Sequence, residues 1–356
     1  MLIKQVGIKL KTFLAAHFSL FIILCSLLIV LCISCQTAIS AEEYYSIGMA
    51  YFELGKFEEA EKWLHRAKQA DRTMVASTYN LGRIAFGNNR LDEAVRHFEN
   101  ILKKDPDNVP ALRAAAYTRI RMRDIEKAEE HYAKLLILVP ESADNGYNHA
   151  LVLYAMDRFA DAEAVLEKYP YALAENFDLI LLYARCRKAL NKIEAIENYS
   201  TWLGSNTDVR IRYEYAQVLE YHELFARALE EYQTTLTELG TAAEPKKFDV
   251  RFAIARVLLI AESASSSGIT ELEGAISDGF DNIEAVEDLL LKRSISAANL
   301  NSIRNILTNM RRSAADKAAA EKKAAEEAAA QKKAEEEAAA KENESQALED
   351  KTQSDS

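Results

Sequence analysis

The sequence predicts an all-α protein built from stacked helix pairs. Its 356 residues include only 11 glycines and 5 prolines, whereas sheet-rich folds need many turn residues. A pattern repeats every 34 residues from Ala41 onward, and a repeat of this length is typical of a helical solenoid. Residues 318–341 consist almost wholly of Ala, Glu and Lys, which are strong helix formers.

The first 34 residues predict a signal peptide or a membrane anchor. Lys4, Lys9 and Lys11 precede an apolar run over 13–35, which is the order of charge and hydrophobicity in an export signal. At roughly 20 residues, the run is also long enough to span a bilayer. Its length therefore leaves removal and retention both open.

The end of the apolar run resembles a bacterial lipoprotein box. Residues 31–36 read LCISCQ, and the small Ser34 directly precedes Cys35. This resemblance implies lipidation of Cys35, with residues 35–40 as a short tether to the first repeat. Cleavage after Ser40 and an uncleaved anchor are the alternatives. All three place the rest of the chain outside the cytoplasm.

Three successive segments carry the repeat most clearly: 41–74, 75–108 and 109–142. Each has a small residue at position 8, alanine at position 20 and a large apolar residue at position 24. The second segment shows this with Gly82, Ala94 and Phe98. The pattern resembles the tetratricopeptide repeat (TPR) family, and that resemblance implies a right-handed solenoid in which helices A and B of each unit pack closely. Tyr44, Phe98 and Tyr132 are then expected in the core.

The resemblance extends to about six units and then weakens. After the first three come segments with fewer matching positions, namely 143–174, 175–208 and 209–242. A solenoid needs a polar cap over its last open face, and residues 243–312 are assigned to a degenerate repeat with capping helices. Residues 313–345 are predicted to form a charged Ala-rich helix, and residues 346–356 a disordered tail.

The charged helix is expected to stand alone in solvent rather than in a coiled coil. Oppositely charged residues recur four apart, as in Lys322 and Glu326, and such pairs stabilise isolated helices. Blocks of three alanines begin at 318, 328 and 338. Ten residues turn a helix by about 1000°, so successive blocks point in different directions and form no apolar seam.

The resemblance to the TPR family also suggests a binding surface. In that family, helix A positions 2, 5, 9 and 12 line the concave wall. Tyr and Arg carry much of the binding energy at protein interfaces, and several fall on this wall. We therefore predict a groove for a peptide or protein segment, with cationic points suited to a carboxylate. The alternative is that some of these rings only pack against the next repeat. The predicted groove residues are Tyr45, Met49, Phe52, Tyr79, Arg83, Phe86, Arg113, Tyr117, Tyr147, Tyr154 and Tyr213.

Motifs for catalysis are lacking in the sequence. It contains no HExxH, GxSxG, phosphate loop or GxGxxG pattern. His65, His97 and His131 recur with the repeat on helix B, where we expect exposed polar positions. No catalytic residue, metal, cofactor or small-molecule substrate is expected. A reactive thiol at Cys186, between Arg185 and Arg187, is the one catalytic alternative, because cationic neighbours lower a thiol pKa.

These features together predict a non-catalytic scaffold or adaptor of the bacterial cell envelope. Its partner would be a protein or peptide, and its N-terminus would attach it to the membrane facing the periplasm. The net charge of −11 argues against nucleic acid, because phosphate binding needs clustered Lys and Arg. One rival is a subunit of an outer-membrane or cell-wall assembly complex. The other is an accessory enzyme domain that uses Cys186.

Overall fold

The computed structural model describes Ile22 and residues 39–240, 244–261 and 266–354, with side chains up to 333 and at 335 and 336. Within these ranges all regular secondary structure is helical. The predicted signal peptide or anchor over 1–34, apart from Ile22, and the predicted lipidation site Cys35 lie outside the described residues.

Among the helices that are described, none is both long enough and apolar enough to cross a membrane.

The chain divides into two compact units, and the first ends at Pro170. Four helix pairs make up its repeats, each consisting of a helix A followed by a helix B. The helices are α1 (Ala41–Glu53), α2 (Phe57–Ala70), α3 (Val75–Gly87), α4 (Leu91–Leu102), α5 (Val109–Arg121), α6 (Ile125–Leu138), α7 (Ala143–Ala155) and α8 (Phe159–Leu166).

The second unit begins at Tyr171, within a one-turn helix that precedes its helix pairs. Helix A of the fifth repeat begins at Phe177, two residues after the boundary predicted at 175. The helices are α9 (Pro170–Glu175), α10 (Phe177–Ala189), α11 (Ala195–Leu203), α12 (Val209–Tyr221), α13 (Phe225–Glu238), α14 (Lys247–Ala261), α15 (Ser267–Ser277), α16 (Ile283–Leu289) and α17 (Ala297–Ser354).

The repeated glycine is explained by the residue that packs against it. A Cβ added to Gly82 would lie 2.6 Å from Cε1 of Phe98, and one added to Gly48 would lie 2.9 Å from Cγ of Leu64. The small residue at position 8 thus faces the large residue at position 24. Alanine at position 20 is fully buried in the first three repeats, as seen for Ala94.

The fourth repeat has a smaller residue on helix A and a larger residue after helix B than the third repeat has at the same positions. Position 4 carries Gly146 and position 27 carries Tyr169, whereas the third repeat has Leu112 and Leu135 there. A Cβ on Gly146 would lie 2.1 Å from Cε2 of Tyr169, so the ring occupies the space that a side chain at position 4 fills elsewhere. The Tyr169 hydroxyl donates to the carbonyl oxygen of Pro140 at 2.9 Å. The fourth repeat therefore departs from the repeat pattern at positions 4 and 27.

A left-handed residue after each helix A reverses the chain in both units. Position 15, counted from the first residue of helix A, has a positive φ in each of the six repeats, although its residue type varies. In the second repeat, the N–H of Arg90 donates to the carbonyl oxygen of Ala85 at 2.8 Å and closes the turn. The residues are Gly55, Asn89, Arg123 and Asp157 in the first unit, and Asn191 and Glu223 in the second.

The start of α17 packs against the core of the second unit. Ile303, Leu307 and Met310 are buried in a cluster with Phe252 and Leu289. Beyond Met310, every side chain from 311 to 333 is exposed, and Lys322 Nζ lies 3.9 Å from Glu326 Oε1.

The end of α17 differs from the prediction. The capping segment and the charged segment form one uninterrupted helix, which includes residues 346–354, where the sequence analysis expected a disordered tail. Helix-forming Ala, Glu, Lys and Gln continue into those residues, and the chain there has no glycine or proline to end the helix.

Candidate functional site

Four of the predicted groove residues line one open cavity in the first unit. Phe52 comes from α1, Arg83 and Phe86 from α3, and Tyr117 from α5. These are the A helices of three successive repeats, so the stacking of the repeats brings the four side chains together. The cavity has a volume of about 290 Å³. We call it the aromatic cavity.

The charged group of the aromatic cavity is held by a ring and an amide. The Arg83 guanidinium carbon lies 4.6 Å from the centre of the Phe52 ring, which is within cation–π range. Its Nη1 donates to Oδ1 of Asn80 at 3.0 Å, and Nδ2 of Asn80 donates to the Tyr45 hydroxyl at 3.1 Å. Arg83 is itself exposed and has no ion pair within 4.0 Å among the described residues. Its charge is therefore positioned by its neighbours without being neutralised by them.

Two rings form the other side of the aromatic cavity. The centres of Phe86 and Tyr117 lie 5.4 Å apart with their planes tilted by 48°. The guanidinium carbon of Arg121 lies 5.4 Å from the Phe86 ring. Tyr117 is 49% exposed, so its ring and hydroxyl are accessible to a ligand. Tyrosine offers a large contact area with one polar group.

The floor of the aromatic cavity is buried apolar surface. Phe98 is 1% exposed and packs against Tyr79 with ring centres 5.6 Å apart. Ile84 is also buried there. Burial raises the pKa of Tyr132, a core residue of the third repeat, to about 12. The arrangement can hold an apolar side chain on the floor and an anionic group beside Arg83.

The other predicted groove residues are not lining residues of this cavity. Tyr45 and Met49 pack against the buried cluster that contains Leu64 and Leu81. The packing of Tyr45 is of the kind expected by the alternative interpretation, in which some rings only contact the next repeat. Tyr79 is half-buried on Phe98.

The remaining predicted residues lie along later helices A. Arg113 is exposed and donates from Nε to Oδ1 of the buried Asn145 at 3.2 Å. Tyr147 and Tyr154 are half-buried on α7. Tyr213 belongs to the second unit, where it is half-buried with its ring centre 5.5 Å from that of Tyr232.

Phe57 lines the aromatic cavity but was missed by the sequence analysis. It is the first residue of α2, at position 17, and its ring centre lies 5.4 Å from that of Phe52. The resemblance to the TPR family pointed only to positions on helix A, whereas this ring reaches the wall from the start of helix B. A signal was present in the sequence, because Phe159 and Phe225 also stand at position 17. Tyr154 and Phe159 form the equivalent pair, with ring centres 5.1 Å apart.

The second unit contains a larger and more polar cavity of about 720 Å³. Glu220 and Arg256 lie on its wall as a bidentate pair, with N–O distances of 2.5 and 2.8 Å. The Tyr232 hydroxyl donates to the same carboxylate at 2.8 Å. Arg256 also lies over the Phe252 ring, with its guanidinium carbon 5.5 Å from the ring centre. We call it the ion-pair cavity.

The histidines on helix B are less exposed than predicted. His97 and His131 are half-buried, and burial is the main cause that lowers the pKa of each imidazole. The charged groups from neighbouring repeats that act on these imidazoles belong to the preceding repeat, namely Lys68 and His65 for His97 and Glu99 for His131. His65 is exposed as expected. Cys186, the candidate reactive thiol, is fully buried, which leaves it without access to a substrate.

No cluster of three or more His, Cys, Asp or Glu side chains suited to a metal ion occurs in the portion of the chain that the structure describes.

Stacked helix pairs with an open, side-chain-lined cavity on their A helices define a helical-repeat protein. Family profiles described as tetratricopeptide repeat match residues 41–73, 85–144 and 146–168. These matches all lie in the first unit, which is therefore similar to the tetratricopeptide repeat family. This fold supports a protein–protein interaction scaffold, and proteins of the family are generally non-catalytic.

Similarity to individual proteins is low and partial. An auxiliary subunit of N-alpha-acetyltransferase NatA from Mus musculus is 27% identical over 42% of this chain. The chain spans about a fifth of that relative's length, because the match covers 18% of it. An uncharacterized lipoprotein of Treponema pallidum is 24% identical over 43% of this chain and 78% of its own length. A tetratricopeptide repeat protein from Parabacteroides merdae has a crystal structure with a TM-score of 0.48 and 20% identity, covering 75% of this chain and all of that one.

Proposed function

We propose that this protein is a non-catalytic scaffold of the bacterial cell envelope that binds an extended segment of a partner protein in the aromatic cavity. The observation that carries the proposal is Arg83, which has no ion pair among the described residues and lies in an open cavity lined by aromatic rings. Its guanidinium is held over Phe52, and Tyr117 lies across the cavity with half of its surface exposed. A protein surface with fixed aromatic and Arg side chains needs little ordering when a partner binds.

The chemistry of the cavity indicates the class of partner segment. The floor of Phe98 and Ile84 accepts an apolar side chain, whereas Arg83 favours a carboxylate beside it. Charge-assisted hydrogen bonds from Arg to a carboxylate are directional and strong. The partner segment is therefore extended, with an acidic residue or a C-terminal carboxylate next to a large apolar residue.

Site-specific photocrosslinking tests the cavity directly. A benzophenone amino acid replaces Tyr117 in the full chain, and crosslinked proteins are identified from the organism's own membranes. Tyr171 provides the matched control, because it is 88% exposed and does not line the cavity. We expect a discrete adduct from position 117 that is absent from position 171 and is lost with Arg83→Ala. The same set of adducts from both positions would contradict the proposal.

The envelope location is proposed from the N-terminal segment. The LCISCQ box at residues 31–36 supports lipidation of Cys35, and the similarity to the Treponema pallidum lipoprotein is in accord with it. Incorporation of labelled fatty acid, with Cys35→Ala and Cys32→Ala compared, tests this. We expect the label to disappear in Cys35→Ala and to persist in Cys32→Ala. Persistence in both variants would exclude Cys35 as the lipidated residue.

A further inference from the structure

The first unit contains another cavity, which lies at the junction of the first two repeats and is lined by basic side chains. It has a volume of about 270 Å³ and opens between the ends of α2 and α4. Its lining contains no acid, although the whole chain has a net charge of −11. We call it the edge pocket. Its four basic lining residues are Lys68, Arg72, Lys103 and Lys104.

The cations of the edge pocket are not neutralised by the protein. None of the four has an ion pair within 4.0 Å among the described residues. Asp71 is close in sequence, but its Oδ1 accepts hydrogen bonds from the backbone N–H and the hydroxyl of Thr73 at 2.7 and 2.6 Å. Burial, and then the charge of Lys104, lower the pKa of Lys68. Lys68 and Lys104 are thus close enough to repel each other, and the Asp71 carboxylate, which is also near Lys104, forms no ion pair with it within 4.0 Å.

The neutral groups of the edge pocket also suit an anion. Thr78 is only 7% exposed and lines the pocket, and its hydroxyl has no hydrogen-bond partner among the described residues. Met74 precedes α3, and its sulfur accepts from the hydroxyl of Ser77 at 3.0 Å but from none of the first backbone N–H groups of the helix. The first N–H groups of a helix lack helical acceptors and attract anions. An unused hydroxyl and an uncapped helix start thus lie beside four cations.

The topology places the edge pocket on one particular edge of the repeats. Helices A begin and helices B end at this edge, because the two run antiparallel. It therefore includes the start of α1 at Ala41, the end of α2 at Ala70 and the end of α4 at Leu102. The chain leaves the first repeat toward its N-terminus from the same edge. If the N-terminus is held at a membrane, this edge lies nearest to that membrane.

We propose that the edge pocket binds the phosphate group of an anionic phospholipid in the membrane to which the N-terminus attaches. The proposal rests on the membrane attachment proposed above and adds an orientation to it. Basic side chains next to an anionic bilayer gain electrostatic attraction that acts over about a Debye length. Contact at the edge pocket would hold the first repeats upright on the bilayer and keep the aromatic cavity open to solvent.

Lysine labelling on vesicles tests the edge pocket. The full chain is incorporated into vesicles of phosphatidylcholine alone, or with a minority of phosphatidylglycerol, and reactive lysines are quantified by mass spectrometry after brief amine acetylation. We expect labelling of Lys103 and Lys104 to fall about fivefold on the anionic vesicles and to recover at high salt. Lys56 is the control, because it is exposed at the opposite edge of the first repeat, and its labelling should not change.

Two further measurements separate the possible outcomes. In detergent, inorganic phosphate replaces the lipid, and protection by phosphate without protection on anionic vesicles would overturn the lipid assignment. Equal labelling of Lys103 on both vesicle types would do the same. The variant Lys103→Gln/Lys104→Gln should remove the protection of Lys68.

Flotation of the chain with vesicles tests the N-terminal anchor separately. A chain that floats only with anionic vesicles would contradict the N-terminal anchor and support the edge pocket.

Discussion

The two units each contain a cavity with an arginine over a phenylalanine ring, but the arginines differ in their electrostatic partners. In the aromatic cavity, Arg83 lies over Phe52 and is not paired with a carboxylate among the described residues. In the ion-pair cavity, Arg256 lies over Phe252 and pairs bidentately with Glu220. The helix-pair repeat thus positions similar groups in both units. The presence of a carboxylate decides whether the cation stabilises the fold or is available to a ligand.

This comparison predicts its largest difference for removal of the two cations. Glu220 has only 12% of its side chain exposed, so Arg256→Met leaves a largely buried carboxylate without its counter-ion. We expect a loss of about 2–3 kcal/mol in the free energy of unfolding, below the range for fully buried pairs because Arg256 is partly exposed. Arg83→Ala should cost less than about 0.5 kcal/mol. Urea denaturation of both variants measures the difference, and equal losses would contradict the distinction between the two cavities.

Packing beneath the aromatic cavity gives the next largest effect. In Gly82→Ala, the added Cβ would meet the Phe98 ring at 2.6 Å, so the floor of the cavity has to shift. We expect a destabilisation of about 2 kcal/mol. Gly87→Ala lies in the same helix with no atom within 4 Å of the added Cβ. It should be neutral or stabilise the helix by about 0.5–1 kcal/mol. Thermal unfolding distinguishes them, and a stable Gly82→Ala would show that the cavity floor is loosely packed.

The two units should also respond differently to acid. His97, His131 and His149 all belong to the first unit, and burial is the main cause that lowers the pKa of each below 6.5. The folded state therefore takes up these protons less readily than the unfolded chain. The associated stability is fully present above pH 6.5 and is lost as the pH falls from there through the folded-state pKa values.

Hydrogen exchange at pH 7.5 and 5.5 measures the two units separately. We expect faster exchange at the lower pH in α4, α6 and α7, after correction for the intrinsic rate. The effect should be smaller in α10 to α13, because the three histidines with a lowered pKa all lie in the first unit. The conservative variant His97→Gln should reduce the acid sensitivity of α4. Equal responses in both units would show that these histidines do not set the pH dependence.

The sequence predicted the helix pairs better than it predicted their surfaces. Gly82, Ala94 and Phe98 recur because close packing restricts their size, and a fixed restriction leaves a repeating pattern in the sequence. Surface contacts leave no such pattern, since Phe57 reaches the aromatic cavity from helix B and His97 is half-buried near Lys68 of the preceding repeat. The counter-ion of Arg256 is also 36 residues away in the chain. Spacing within one helix cannot show such a pair.

The smallest predicted effect concerns the turn that both units share. Arg123 and Glu223 stand at position 15 with φ values of 62° and 60°, in a conformation that costs L-residues other than Asn and Asp about 1–2 kcal/mol. Glycine adopts it freely but also increases the entropy of the unfolded chain. Arg123→Gly in the first unit and Glu223→Gly in the second should therefore each stabilise the protein by about 0.5 kcal/mol. Because Asn89 already tolerates the same turn, Asn89→Gly is the control and should change the free energy of unfolding less. Destabilisation by Arg123→Gly alone would mean that its side chain makes a contact that the Glu223 side chain does not, and the turn would then differ between the units as the cavities do.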